Sequence, residues 1–219
     1  RQLDSVLSAH LAGLCQQADL LPGSGVRAFV DIDSLVRPVY GHAKQGASYG
    51  HTKIAGKQVL RKGLSPLVTT ISTDTAAPMV TGIRLRAGKA NSGKGAARMV
   101  AQAITTARAA GVSGLITVRG DSAYGNRAVI RTCRRHGAVF SLVLTRNAAV
   151  QRAIDAIAED AWVPVKYPGA VRDPDTGAWI SDAEVAETSY TMAESGPYPA
   201  FTARLIVRRV KDANQPRDT

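Results

Sequence analysis

Apolar residues recur along this chain with two different periods. Over residues 2–20, Leu3, Val6, Leu7, Leu11 and Leu14 stand at helical spacing, and the LPGSG stretch that follows breaks the pattern. The run RAFVDIDSLV over 27–36 is short, apolar and β-branched, which predicts a buried first strand carrying two aspartates. Residues 40–63 are rich in Gly, Lys, His and Tyr without a period and read as a basic loop or loose hairpin. Stretches 67–73 and 79–86 predict an antiparallel hairpin turning at 74–78. A helix is expected over 96–110, with Met99, Val100, Ala103, Ile104 and Ala107 on one face and Gly111 closing it. A strand at 115–118, a helix at 127–135 and a strand at 138–144 then make a parallel crossover unit. Residues 148–159 suggest a further helix. The remainder, punctuated by proline and glycine, offers strands at 184–192 and 201–210.

This order predicts an α/β fold of three antiparallel strands followed by alternating helices and parallel strands. Its parts are an N-terminal helix and linker (1–26), a core (27–160) and a β-rich insertion (161–219). Strand alternation puts Asp31 and Asp33 on one face and Val30 and Ile32 on the other, buried one. Asp121, in Arg-Gly-Asp-Ser, falls at the end of the fourth strand, and ligands of open α/β sheets collect at such C-terminal ends. A structural role is the alternative. An aspartate at a strand end can cap a turn, and Asp121 can N-cap a helix once Gly120 turns the backbone, with Ser122 capping a helix that begins near Tyr124. Two like charges two residues apart on one face repel unless a cation joins them. A hard divalent ion is suited to this, because Mg²⁺ takes oxygen ligands from one or two carboxylates plus substrate phosphates.

Charge strengthens that reading. The chain has 219 residues, a formal charge of +11, and 28 Lys and Arg against 17 Asp and Glu. Residues 37–146 hold 18 of the basic residues and only two acids, Asp74 and Asp121, while the flanks sum to −2 and −3. So concentrated an excess points to a polyanion, with nucleic acid first. The DNA-facing candidates are Lys44, Lys53, Lys57, Arg61, Lys62, Lys89, Lys94, Arg98, Arg119 and Arg127. GKANSGKG over 88–95 approximates a phosphate loop, but Gly95 replaces the Ser or Thr that would bind Mg²⁺, so a backbone phosphate of DNA suits it better than a nucleotide. His10, His42, His51 and His136 show no metal-ligand spacing, and Cys15 and Cys133 lie far apart, as in a reduced cytoplasmic protein. No apolar run approaches the roughly 20 residues of a membrane helix, and no signal-peptide pattern is present.

Taken together, VDIDSLVRPVYGHAKQGASYGH, LRAGKANSGKGAARMV and ITVRGDSAYGNRAVI resemble, in order and spacing, the DDE transposases of bacterial insertion sequences. The resemblance implies an RNase H-like core whose acids hold Mg²⁺ or Mn²⁺ and which cleaves and transfers DNA strands without a covalent enzyme intermediate. It makes Asp33 the first catalytic acid and metal ligand, with Asp31 as the alternative, and Asp121 the second. The expected partners are transposon ends and target DNA, with a homodimer in a synaptic complex. The third acid of such enzymes is a Glu within Tyr-x-x-Arg-x-x-x-Glu. Glu159, Glu184, Glu187 and Glu194 lack those neighbours, so the third acid is expected beyond Thr219, and a DNA-reading helical domain is expected before residue 1. Two other readings compete. VDIDS also resembles the opening of haloacid dehalogenase-type phosphatases, with Asp31 as nucleophile and Asp33 as acid/base. Gly125 and Asn126 stand where that family needs a second acid, and a small phosphoester has no use for the basic block. A non-catalytic DNA-binding fragment would share the groove without the chemistry.

Overall fold

The central strand, β1 (Arg27–Ser34), alternates fully buried Ala28, Val30 and Ile32 with the less buried Phe29, Asp31 and Asp33. In the computed structural model, which describes residues 2–54 and 57–210, the chain forms two units, Arg1–Thr145 and Arg146–Thr219. The first begins with α1 (Gln2–Gln17) and continues through β1, β2 (Arg37–Pro38), β3 (Ser48–Ile54), β4 (Lys57–Leu64), β5 (Leu67–Ser72) and β6 (Met79–Arg84). Then come α2 (Ala96–Ala109), β7 (Leu115–Gly120), α3 (Arg127–Arg135) and β8 (Val139–Leu142). Five of these strands make one sheet in the order β6-β5-β1-β7-β8. β5 is antiparallel to both β1 and β6, whereas β7 is parallel to both β1 and β8, as the hydropathy pattern predicts.

α2 covers the apolar face of the sheet. Its buried positions Ala96, Met99, Val100, Ala103, Ile104 and Ala107 follow the helical period and join Val30, Ile32, Leu67, Ile71, Ile116 and Val118 in one core. Each large aliphatic chain removed from water there stabilises the fold by roughly 1.5–3 kcal/mol. The helix can lie close because three of its inward residues are alanines and because Gly82 of β6 leaves room, a Cβ there standing 3.2 Å from the Met99 methyl. Both cysteines are free, and burial pushes the Cys133 thiol up to about 12.

The basic stretch after β1 is more ordered than its composition suggests. β3 and β4 pair along their whole length, and β2 adds to β4, giving a second sheet in the order β2-β4-β3. Glycines seat it against the 88–95 loop. A Cβ on Gly50 would stand 2.1 Å from the Gly88 carbonyl oxygen, and one on Gly88 would stand 2.2 Å and 2.6 Å from the carbonyls of Ser48 and Gly63. Backbones this close leave no space for a side chain at Gly50 or Gly88.

The second unit contains α4 (Ala148–Asp155), a 3₁₀ turn at Glu159–Ala161, β9 (Val163–Pro164), β10 (Val171–Arg172), β11 (Trp179–Ile180), β12 (Ala183–Met192) and β13 (Phe201–Val210). β10 and β11 pair with each other, and the rest form a sheet in the order β13-β12-β9. α4 ends at Asp155, short of the expected 159, and packs on β12. Arg209 of β13 knits the unit together. It donates to Glu159 and, over 2.8 Å, to Glu184, and its guanidinium lies 4.1 Å from the centre of the Trp162 ring. The bonds to Glu159 hold its proton more tightly than usual.

Replacing Gly88 with alanine drives a methyl group into two carbonyls and is expected to destabilise the protein by about 1–3 kcal/mol in urea unfolding. Gly13→Ala, in α1 with open space around it, is expected to stabilise by up to ~1 kcal/mol in the same measurement.

Candidate active site

The pairing of β1 with β7 decides where the two acidic motifs meet. The strands run parallel in a register that matches Arg27 with Leu115 at one end and Ile32 with Gly120 at the other. Asp33 and Asp121 are the next residue on each chain. Neighbouring strands lie about 4.8 Å apart, so these two exposed aspartates follow the last paired residues at the same C-terminal edge of the sheet. Asp33 Oδ1 accepts from the Ser34 amide at 2.6 Å, and Asp121 Oδ1 accepts from the Ala123 amide at 2.9 Å. The second oxygen of each makes no hydrogen bond among the described residues.

The loop after Asp121 is built differently from the cap expected there. Helix α3 begins at Arg127, and Asn126 caps it, its side chain accepting from the Val129 amide at 3.2 Å. Asp121 and Ser122 are therefore not its caps. Gly120 is needed for space rather than for a turn. A Cβ there would meet Ile32 and the Tyr124 side chain at 3.1 Å, so the Tyr124 ring is seated against β1 and β7. Tyr124 is fully buried, and its hydroxyl makes no well-formed hydrogen bond among the described residues, with the Ser34 side chain nearby. Burial raises its pKa, and the negative charges of Asp33 and Asp121 nearby add to the effect, while Ser34 and Arg86 work against it.

Asp31 belongs to a different arrangement. Arg119, directly opposite it on β7, donates from Nε to Oδ1 at 2.6 Å and from a terminal nitrogen to Oδ2 at 2.7 Å. The guanidinium also lies 4.2 Å from the centre of the Phe29 ring. Both Asp31 oxygens are thus engaged, and the charge of Asp31 is balanced by an arginine. The same bonds hold the Arg119 proton more tightly and occupy the fork that would grip a DNA phosphate.

The other basic candidates spread over three segments that touch. Lys57 and Arg61 are exposed on β4, Lys62 is half-buried beside them, and the Lys53 side chain lies outside the described residues. Lys44 is exposed in the loop before β3, and Lys89, Lys94 and Arg98 are exposed in the 88–95 loop and the first turn of α2. That loop abuts the Asp121 loop, since a Cβ on Gly93 would be 3.1 Å from the Ala123 carbonyl. Arg127 is half-buried at the start of α3. The 88–95 loop has the opposite polarity to a nucleotide phosphate cradle. Its carbonyls at Asn91, Ser92 and Lys94 converge on the Arg86 guanidinium at 2.9–3.2 Å, and the amides of Lys89, Gly93 and Lys94 bond to protein acceptors. Burial of Arg86 lowers its pKa.

Neither Tyr124 nor Arg86 was a candidate on the sequence. Tyr124 stood three residues from Asp121, but an aromatic there reads simply as core. Among the described residues no three His, Cys, Asp or Glu side chains come together. Glu159 and Glu184 are held by Arg209, and Glu187 is held by Arg204 at 2.6 Å. The two-acid edge still suits a hard cation, because its donors are carboxylate oxygens.

The family described as Transposase DDE domain group 1 matches residues 26–216. The chain belongs to that family. No curated protein matches it. The match runs from the residue before β1 into the second unit, so the transposase domain includes both the acid edge and the β-rich strands 183–210. No helix among the described residues is long and apolar enough to cross a membrane.

Within this transposase domain Asp31 and Asp33 should separate cleanly. The Arg119–Asp31 pair is 44% and 34% exposed, so Asp31→Asn is expected to cost about 1 kcal/mol or less in denaturant unfolding. It is also expected to leave Mn²⁺ affinity unchanged, whereas Asp33→Asn removes measurable Mn²⁺ binding by calorimetry.

Proposed function

We propose that this chain is the catalytic part of an insertion-sequence transposase that cleaves and joins DNA phosphodiester bonds at transposon ends. The observation that carries this is the parallel register of β1 and β7, which sets Asp33 and Asp121 side by side. The strand order β6-β5-β1-β7-β8, three antiparallel strands and then two parallel ones, supports reading the core as RNase H-like. The family's acids occupy corresponding strand ends.

Asp33 and Asp121 would hold Mg²⁺ or Mn²⁺ through the oxygens they leave unbonded. When bound, such ions activate the attacking oxygen and stabilise the leaving one in phosphodiester displacement. The chain's own residues position the DNA. Lys89 and Lys94 stand exposed on the loop that abuts the Asp121 loop through Gly93, and the β3–β4 hairpin touches the same loop, a positive surface where phosphates would be held by charge without reading sequence. Asp31 and Arg119 keep the upstream part of the two strands rigid. The third acid is none of Glu159, Glu184 and Glu187, each committed to an arginine, nor Glu194, which lacks the Tyr-x-x-Arg-x-x-x-Glu neighbours, and we assign it to a residue outside those described. A homodimer in a synaptic complex with the two DNA ends is the expected assembly. The phosphatase reading fares worse, because its nucleophile would be Asp31, whose oxygens are both bound by Arg119.

In the complete transposase, Asp33→Asn and Asp121→Asn are each expected to abolish Mg²⁺-dependent strand cleavage of a labelled end while duplex binding persists. Cleavage surviving in either variant removes that residue from the site. Duplex affinity should also fall about a hundredfold between 50 and 200 mM salt if roughly four phosphates are contacted. A flat salt dependence contradicts the positive surface as the DNA contact.

A further inference from the structure

Tyr124 has a feature that packing does not explain. A buried tyrosine hydroxyl ordinarily finds a partner, and leaving one unpaired costs about 1–3 kcal/mol. Phenylalanine would fill the same space against Gly120 and Ile32 at no such cost. The Tyr124 hydroxyl is nevertheless buried, makes no well-formed hydrogen bond among the described residues although the Ser34 side chain lies near it, and feels the charges of both Asp33 and Asp121. Those carboxylates each turn one oxygen back to their own backbone, towards the amides of Ser34 and Ala123. Two adjacent negative charges favour that outward turn, and a cation between them favours the opposite one.

We propose that the Tyr124 hydroxyl is a positioning donor for the metal site. It donates a hydrogen bond to the oxygen set that forms when Asp33 and Asp121 turn towards a shared divalent cation. The inference rests on the two-acid reading above. Tyr124 makes no contact with the metal itself. It acts through the carboxylates, as outer partners orient the ligands of metal sites, and its donor finds a carboxylate acceptor only when they converge. The hydroxyl thus has only the loosely placed Ser34 side chain beside it in the free protein and gains a carboxylate acceptor in the loaded one, which couples ion binding to the order of the loop between β7 and α3.

The test uses the whole chain as wild type, Tyr124→Phe and Asp33→Asn, with Mn²⁺ as the probe. Mn²⁺ affinity is read by water-proton relaxation, and thermal melting is followed without metal. Tyr124→Phe is expected to weaken Mn²⁺ binding about three- to tenfold, the worth of one hydrogen bond. Without metal it is expected to melt at or above the wild-type temperature. Wild-type Mn²⁺ affinity in Tyr124→Phe, with binding lost in Asp33→Asn, overturns the role of Tyr124 and leaves the acid pair standing. Equal Mn²⁺ binding by wild type and Asp33→Asn overturns both. A metal-free melting point several degrees lower in Tyr124→Phe, or failure of that variant to fold, shows that the hydroxyl is already bonded in the free protein and overturns the proposal.

Discussion

Parallel pairing between β1 and β7 is the constraint on which the rest depends. Residues 31 and 119 are 88 positions apart, and only this register brings the VDIDS and RGDS segments to one sheet edge. A slip of one residue would send Asp33 to the buried face and Ile32 into water. The register is fixed from both sides of the sheet. On the buried face Val30 and Ile32 lock under α2 with Ile116 and Val118, and on the other face Asp31 clasps Arg119. The apolar contacts supply most of the stability, and the exposed ion pair adds direction more than energy.

Close backbone approach is the second device. The 88–95 loop touches the basic hairpin through Gly50, Gly63 and Gly88 and touches the Asp121 loop through Gly93. Arg86 draws the loop carbonyls inwards, which leaves Lys89 and Lys94 exposed at the rim. A positive surface and a pair of carboxylates consequently sit side by side without neutralising each other. The acids stand at strand ends, and the cations stand on loops pinned beside them.

Much of this was legible in the sequence, and the parts that were not share a cause. α2, α3 and β13 follow from apolar periodicity, because burial on one face imposes it, and the placing of Asp33 and Asp121 at strand ends follows from the same signal. The β3–β4 hairpin left no such trace. Tyr49 and Leu60 are 65% and 57% exposed on it, so no face is selected, and the glycine contacts that order it carry no hydropathy signal. Asp31 read as half of a metal site because its partner is remote in sequence. Asn126 displaced Asp121 and Ser122 as the helix cap because Tyr124 must first reach the core.

The central claim is that residues 33 and 121 share one ion. Backbone amide spectra of the isotopically labelled chain, recorded as Mn²⁺ is added well below stoichiometry, test it directly, since the paramagnetic ion broadens only its near neighbours. The account predicts that amides around Asp33 and Asp121 broaden together and first, ahead of those in β13. Broadening of one loop without the other, or broadening led by the acidic residues of the second unit, would contradict it.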